Sequence, residues 1–240
     1  KLTAEQVAVM TTAQIAAIET ADIAKMTNDQ VAAITTAGVV ALGTEQVQAL
    51  TASQLANLTT AQVAAIETAD IAALTTGQIS KLTIDQMPAL TTAQVAAIET
   101  ADLVMLTNSQ IESISTTGIA ALSTDQVKVI TTSQIKALTA AQITALTTDV
   151  SVVATDQLRQ LNDEQVAAIT TAGIAALTTA QVSNLKATQV AAMTTAQIAA
   201  METADLAVLT QAQLNAMSSD QWTAVSSSTS ALTGGKTAPY

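Results

Sequence analysis

The sequence predicts an all-α fold: a solenoid of very short capped helices, one per eight-residue repeat, around a narrow aliphatic core. Three observations predict it. The 240-residue chain repeats with a period of eight. Each repeat opens on the helix-start signal Thr-x-x-Gln. Its two large apolar positions, 5 and 8, lie three residues apart and therefore share one helix face.

From Thr3 the chain divides into 27 octads of consensus T-T-A-Q-V-A-A-L and one heptad, together spanning residues 3–225. Position 8 is almost always Leu, Ile or Met, and position 5 is Val, Ile or Leu, with Met87 and Trp222 as larger exceptions. Longer blocks recur as well: residues 11–58 match 91–138, and 27–90 match 162–225. Such internal repetition decides the fold before any local reading does.

The period excludes the two commonest alternatives. Eight residues wind a continuous α-helix through two turns plus roughly 80°, so its apolar stripe would march around the cylinder. Supercoiling absorbs only the drift of about 20° per heptad. In a strand, positions 5 and 8 would fall on opposite faces, and Ala-Ala and Gln are poor strand formers. What remains is a helix that stops and restarts in every octad.

TTAQVAAI, residues 59–66, shows how the restart is written. Thr59 is the expected N-cap, its hydroxyl accepting from the Gln62 N–H while the Gln62 side chain returns to the Thr59 N–H. Leu58 before the cap and Val63 after it form the expected hydrophobic staple. A helix this short is unstable alone and must bury positions 5 and 8 against other octads. Ala at positions 6 and 7 lets neighbours approach. Two breaks are expected. Pro88, at position 6 of TIDQMPAL, removes a hydrogen bond and predicts a local bend. The heptad 147–153, TTDVSVV, lacks the Gln and predicts a second irregularity. Residues 226–240, Ser-, Gly- and Pro-containing, read as a tail or linker. The chain starts at Lys1 rather than Met, which reads as a processed product, an internal segment or a trimmed chain.

Composition narrows the function. Aromatics are 1% of residues, so the core is Leu, Ile, Val, Met and Ala. Histidine and cysteine are absent, which removes the commonest general base, the commonest metal ligand and all thiol chemistry. The net charge of −11, with eight scattered basic residues, leaves no footprint for nucleic acid and opposes binding to an anionic membrane. Thr and Gln interrupt every apolar run well short of the roughly 18 residues of a spanning helix. No membrane insertion and no enzyme activity are expected, and no catalytic or cofactor-binding residue is assigned.

The site candidates are few. Four octads replace the capping Thr and Gln by carboxylates: Glu19 with Asp22, Glu67 with Asp70, Glu99 with Asp102, and Glu202 with Asp205. Stacked carboxylates are the weak candidates for calcium, and the plainer reading is that acids favour helix N-termini. Gly38, Gly118 and Gly173 replace the Gln, marking either a close crossing or drift. The Thr rows would serve mainly as caps, Trp222 as a plug for the end of the core, and Gly234–Lys236 lacks the spacing of a phosphate loop.

The TTAQVAAL-type octads across residues 3–225 resemble the Ala/Thr/Gln-rich repeat tracts of large exported or cell-surface bacterial proteins, adhesin-like and S-layer- or filament-like. The resemblance implies an extracellular structural role, and it brings no catalytic residues. The calcium-binding Gly-Asp nonapeptides of many such secreted proteins are missing. The expected function is a self-associating subunit or spacer of a bacterial surface layer, filament or adhesin stalk, forming a homo-oligomer or polymer through its ends or faces. The competing expectation is a binding module for calcium, a glycan or ice.

Overall fold

The computed structural model of the chain describes residues 2–226. The tail expected at 226–240 lies outside the described residues beyond Ser226. Every regular element among the described residues is a helix. Nearly every octad carries one, of four to six residues, opening at position 2 of the octad and closing by position 7; the last, Ser219–Ser226, runs to eight residues. In octad 59–66 the helix Thr60–Ala65 is preceded by Thr59 in extended conformation and followed by Ile66, again extended. Ile66 and the next cap, Glu67, both extended, make the turn from this helix to the following one.

The chain forms two compact units, Lys1–Gln126 and Val127–Tyr240. In the first, helices pack on neighbours three octads away: Asn28–Ala32 lies against Ala4–Ala8 and against Ala52–Ala56, and Thr44–Ala49 against Thr20–Ile23 and Thr68–Ala73. The second follows the same rule, with Thr195–Ala199 against Thr171–Ala175 and Ser219–Ser226. Positions 5 and 8 line the interior of both units. Val63 is fully buried, Ile66 is 3% exposed, and Val190 and Met193 repeat this in the second unit. Each such side chain contributes about 1.5–3 kcal/mol when buried, which is what holds helices too short to stand alone. Trp222 is only half-buried, with Val225 completing the interior of the last described octad.

Both expected irregularities are present. The Pro88 octad forms no α-helix; a turn at its start gives way to the 3-10 helix Met87–Ala89. Pro88 has no N–H to donate, so the i→i−4 ladder cannot pass through it. The heptad also becomes a 3-10 helix, Thr147–Val152, entered through Thr147 with φ of 49°. A β-branched residue in that left-handed region is strained. The strain is confined to the place where one residue is missing from the repeat.

Candidate functional site

The polar chemistry of the molecule is concentrated at one octad position. Among the described residues, every buried polar side chain belongs to position 4: the position-4 Gln residues from Gln46 to Gln221 except the half-buried Gln157, and Asp70, Asp102 and Asp205. Their local role follows from the capping box. Gln62 N–H donates to Thr59 Oγ1 at 3.2 Å, and Thr59 N–H donates to Gln62 Oε1 at 2.7 Å. The two halves separate cleanly. At Gly43 and Lys186, where position 1 has no hydroxyl, the Gln return bond remains, at 2.8 and 2.9 Å. Where Gly stands at position 4, the hydroxyl half remains instead: Gly38 N–H donates to Thr35 Oγ1 at 3.1 Å and Gly173 N–H to Thr170 Oγ1 at 2.9 Å.

The Gln amide nitrogen has a second role that local reasoning did not foresee. Gln62 Nε2 donates to the Ile34 carbonyl at 2.6 Å, 28 residues back, and to the Val31 carbonyl at 3.3 Å, 31 residues back. These are positions 8 and 5 of the octad four units earlier. The pattern recurs along both units, with Nε2 between 2.6 and 3.0 Å from the position-8 carbonyl. Each short helix leaves its last carbonyls without intrahelical donors. The Gln amide supplies one from outside, so a single side chain starts its own helix and closes another. Helices pack three octads apart and join four octads apart, so one turn of each solenoid takes between three and four octads. Across the heptad the offsets shrink to 27 and 30, as for Gln165 to Leu138 and Ile135. The 3-10 segment therefore fills the place of a full octad.

The four acidic octads depart from this scheme. The caps Glu19, Glu67, Glu99 and Glu202 make no side-chain cap hydrogen bond. The expectation that Glu replaces Thr in the box is therefore corrected: its longer side chain carries the carboxylate past the N–H groups into solvent, and all four Glu residues are exposed. Asp22 is exposed and pairs with Lys25 at 3.3 Å. The other three aspartates are buried. Thr44 Oγ1 donates to Asp70 Oδ1 at 2.6 Å and Thr76 Oγ1 to Asp102 Oδ1 at 2.5 Å, each across to the helix three octads away. Asp70 Oδ2 and Asp205 Oδ2 are buried without a hydrogen-bond partner. Burial, and then the nearby Glu202 charge, push the Asp205 carboxyl above the ordinary carboxylate range, against the hydrogen bond from the Glu202 N–H. At the exposed Glu5 the Thr3 hydroxyl and its own backbone N–H pull the carboxyl the other way. The eight calcium candidates are thus dispersed, and among the described residues no three acidic side chains gather as a metal-binding group.

Of the three glycines, Gly173 meets a backbone: a Cβ there would lie 2.7 Å from the Thr147 carbonyl oxygen. At Gly38 and Gly118 the nearest atoms belong to side chains. The close crossing is therefore real at Gly173, beside the strained heptad.

Among the described residues, no helix is long and apolar enough to cross a membrane. No curated protein matches the chain. The ALTTAQ repeat family model matches residues 15–52, 23–60, 63–97, 95–132 and 198–233, together more than half of the chain. Each matched window is longer than the 28 to 31 residues that separate a Gln from its two carbonyls, so each is long enough to hold both sides of a joint. The chain belongs to the ALTTAQ repeat family.

Proposed function

We propose that this chain is a structural, self-associating array, a subunit or spacer of an extracellular bacterial assembly such as a surface layer, filament or adhesin stalk. The observation that supports the reading is the use made of the buried polar groups: all are at position 4, and the Gln residues spend them on starting one helix and closing another. Chemistry that extends an array is repeated throughout, and it is equally suited to joining one array to another. The Leu2 side of the first unit presents it. Gln6 and Gln14 are exposed there, Met10, Ile18 and Met26 are half-exposed, and a cleft of about 870 Å³ opens beside Leu2, Val7, Ile18 and Met26. In interior octads the corresponding side chains are buried. The likeness of the octads to repeat tracts of exported proteins supports the extracellular assignment, and catalysis has no part in the reading.

Light scattering on the purified protein over a wide concentration range tests it, with electron microscopy of the same samples. Concentration-dependent growth into ordered filaments or sheets is the expected result. A monomer at the highest concentration, with or without calcium, would overturn the proposal.

A further inference from the structure

We propose that residues 227–240 of one copy dock on the open Leu2 side of a second, the backbone at 231–233 accepting from the Gln6 and Gln14 amides and Lys236 facing the acidic rim; the inference rests on the self-associating reading above and gives it a direction. Elsewhere in the molecule a position-4 amide shows what it recognises. Gln78 Nε2 donates to the Leu50 carbonyl at 2.7 Å, and Gln165 Nε2 to the Leu138 carbonyl at 2.7 Å. Both carbonyls lie in the tripeptide Ala-Leu-Thr, at 49–51 and 137–139. Gln6 and Gln14 hold the same octad position and the same local bonds, Oε1 accepting from the Thr3 N–H at 2.8 Å and from the Thr11 N–H at 2.9 Å. Their amide nitrogens have no octad four units earlier in this chain to reach, and both residues are exposed. The same tripeptide, Ala231-Leu232-Thr233, stands in the segment.

The rest of the face fits the rest of the segment. Position 8 is buried in interior octads, whereas Met10, Ile18 and Met26 are half-exposed and Leu2 is 49% exposed. The cleft beside Leu2, Ile18 and Met26 lies where a preceding turn would seat its position-8 side chain, and Leu232 is a side chain of that kind. Glu5, Glu19, Asp22 and Asp29 line the cleft. Of these, among the described residues, only Asp22 has a cation, Lys25 at 3.3 Å. Residues 227–240 carry no acidic group, and their one charged side chain is Lys236. An acidic face repels most of a chain of net charge −11 and admits this segment. Two Leu2 faces brought together would set amide donors against donors and acids against acids. The contact is therefore heterologous, face to segment, and it joins copies in one direction, as a ring or a filament.

The test adds a synthetic peptide of residues 227–240 to the full chain. Assembly is followed by light scattering, and the Gln6 and Gln14 side-chain amides by NMR at low protein concentration. The peptide is expected to shorten the assemblies and to shift both amides along one saturating curve. Leu232→Asp in the peptide should weaken binding about 10-fold or more. Lys236→Glu should weaken it about 2–5-fold, an effect that fades at high salt. In the protein, Gln6→Glu with Gln14→Glu keeps an oxygen for the Thr3 and Thr11 N–H groups and removes the donors. That variant should bind the peptide about 10-fold less tightly at an unchanged melting temperature. A chain that assembles while its assemblies ignore the peptide overturns this inference and leaves the structural reading standing. A chain that stays monomeric while the peptide still shifts both amides retains the docking and removes only that reading. Lys236→Glu in the full chain that moves both amides equally at every concentration would place the segment on its own copy, and overturns the proposal.

Discussion

Octads 59–66 and 67–74 are consecutive in the chain, TTAQVAAI and ETADIAAL, and nearly alike in backbone. Both hold a six-residue helix between extended residues, and both bury positions 5 and 8. Their polar joints differ. In the first, Thr59 and Gln62 satisfy each other's N–H groups and Gln62 also closes octad 27–34. In the second, Glu67 caps nothing, and Asp70 keeps a buried oxygen unpaired while it accepts from Thr44. The apolar register alone therefore suffices to hold the helix geometry. The Gln is an added tie that can be withheld at chosen units.

The comparison breaks most sharply if the first octad is pushed past the second. Gln62→Glu keeps the acceptor for Thr59 but places a buried charge where Nε2 met the Val31 and Ile34 carbonyls. A loss of about 3–5 kcal/mol is expected near neutral pH, with part recovered in acid, read by denaturant unfolding. Next is Gly173→Ala, where the added carbon meets the Thr147 carbonyl. Overpacking against a backbone atom predicts a loss of about 1–3 kcal/mol and faster exchange in 147–153. Thr59→Ala removes the hydroxyl half of the box and should lower stability by about 1 kcal/mol, confined to octad 59–66 in an exchange experiment. The smallest effect sharpens the comparison from the other side. Gly43 has φ of −81° and a Cβ there would meet only Gln46 Oε1, at 3.8 Å, so Gly43→Ser should fit and raise stability by a few tenths of a kcal/mol, read as a slightly higher melting temperature.

Much of this fold is legible in the sequence because its determinants are local. Thr-x-x-Gln marks each helix start, positions 5 and 8 mark the interior, and Pro88 and the heptad mark the breaks. The joint is not legible in the same way, because its partners are 28 and 31 residues apart and no local rule links them. One signal was available. Position 4 is Gln in 20 of the 27 octads and never Glu, although Glu serves a capping box equally well. Only a need for the amide N–H₂ separates the two. The carboxylate pairs are read well as helix-start residues in their Asp members and poorly in their Glu members, since a cap depends on side-chain length and not on charge alone.

The pairing of octads by count along the chain has a consequence for how such a protein changes over time. Each unit finds its partners three and four places away, and nearly all places are chemically alike. Duplicating or deleting eight residues in the interior re-addresses every contact that crosses the cut without altering what those contacts are made of. Length is therefore close to a free variable, adjustable in whole steps by unequal recombination between near-identical coding segments. A seven-residue step is admitted once here, and it is met by Thr147 in a left-handed conformation and by a glycine at 173 with no room for a methyl group.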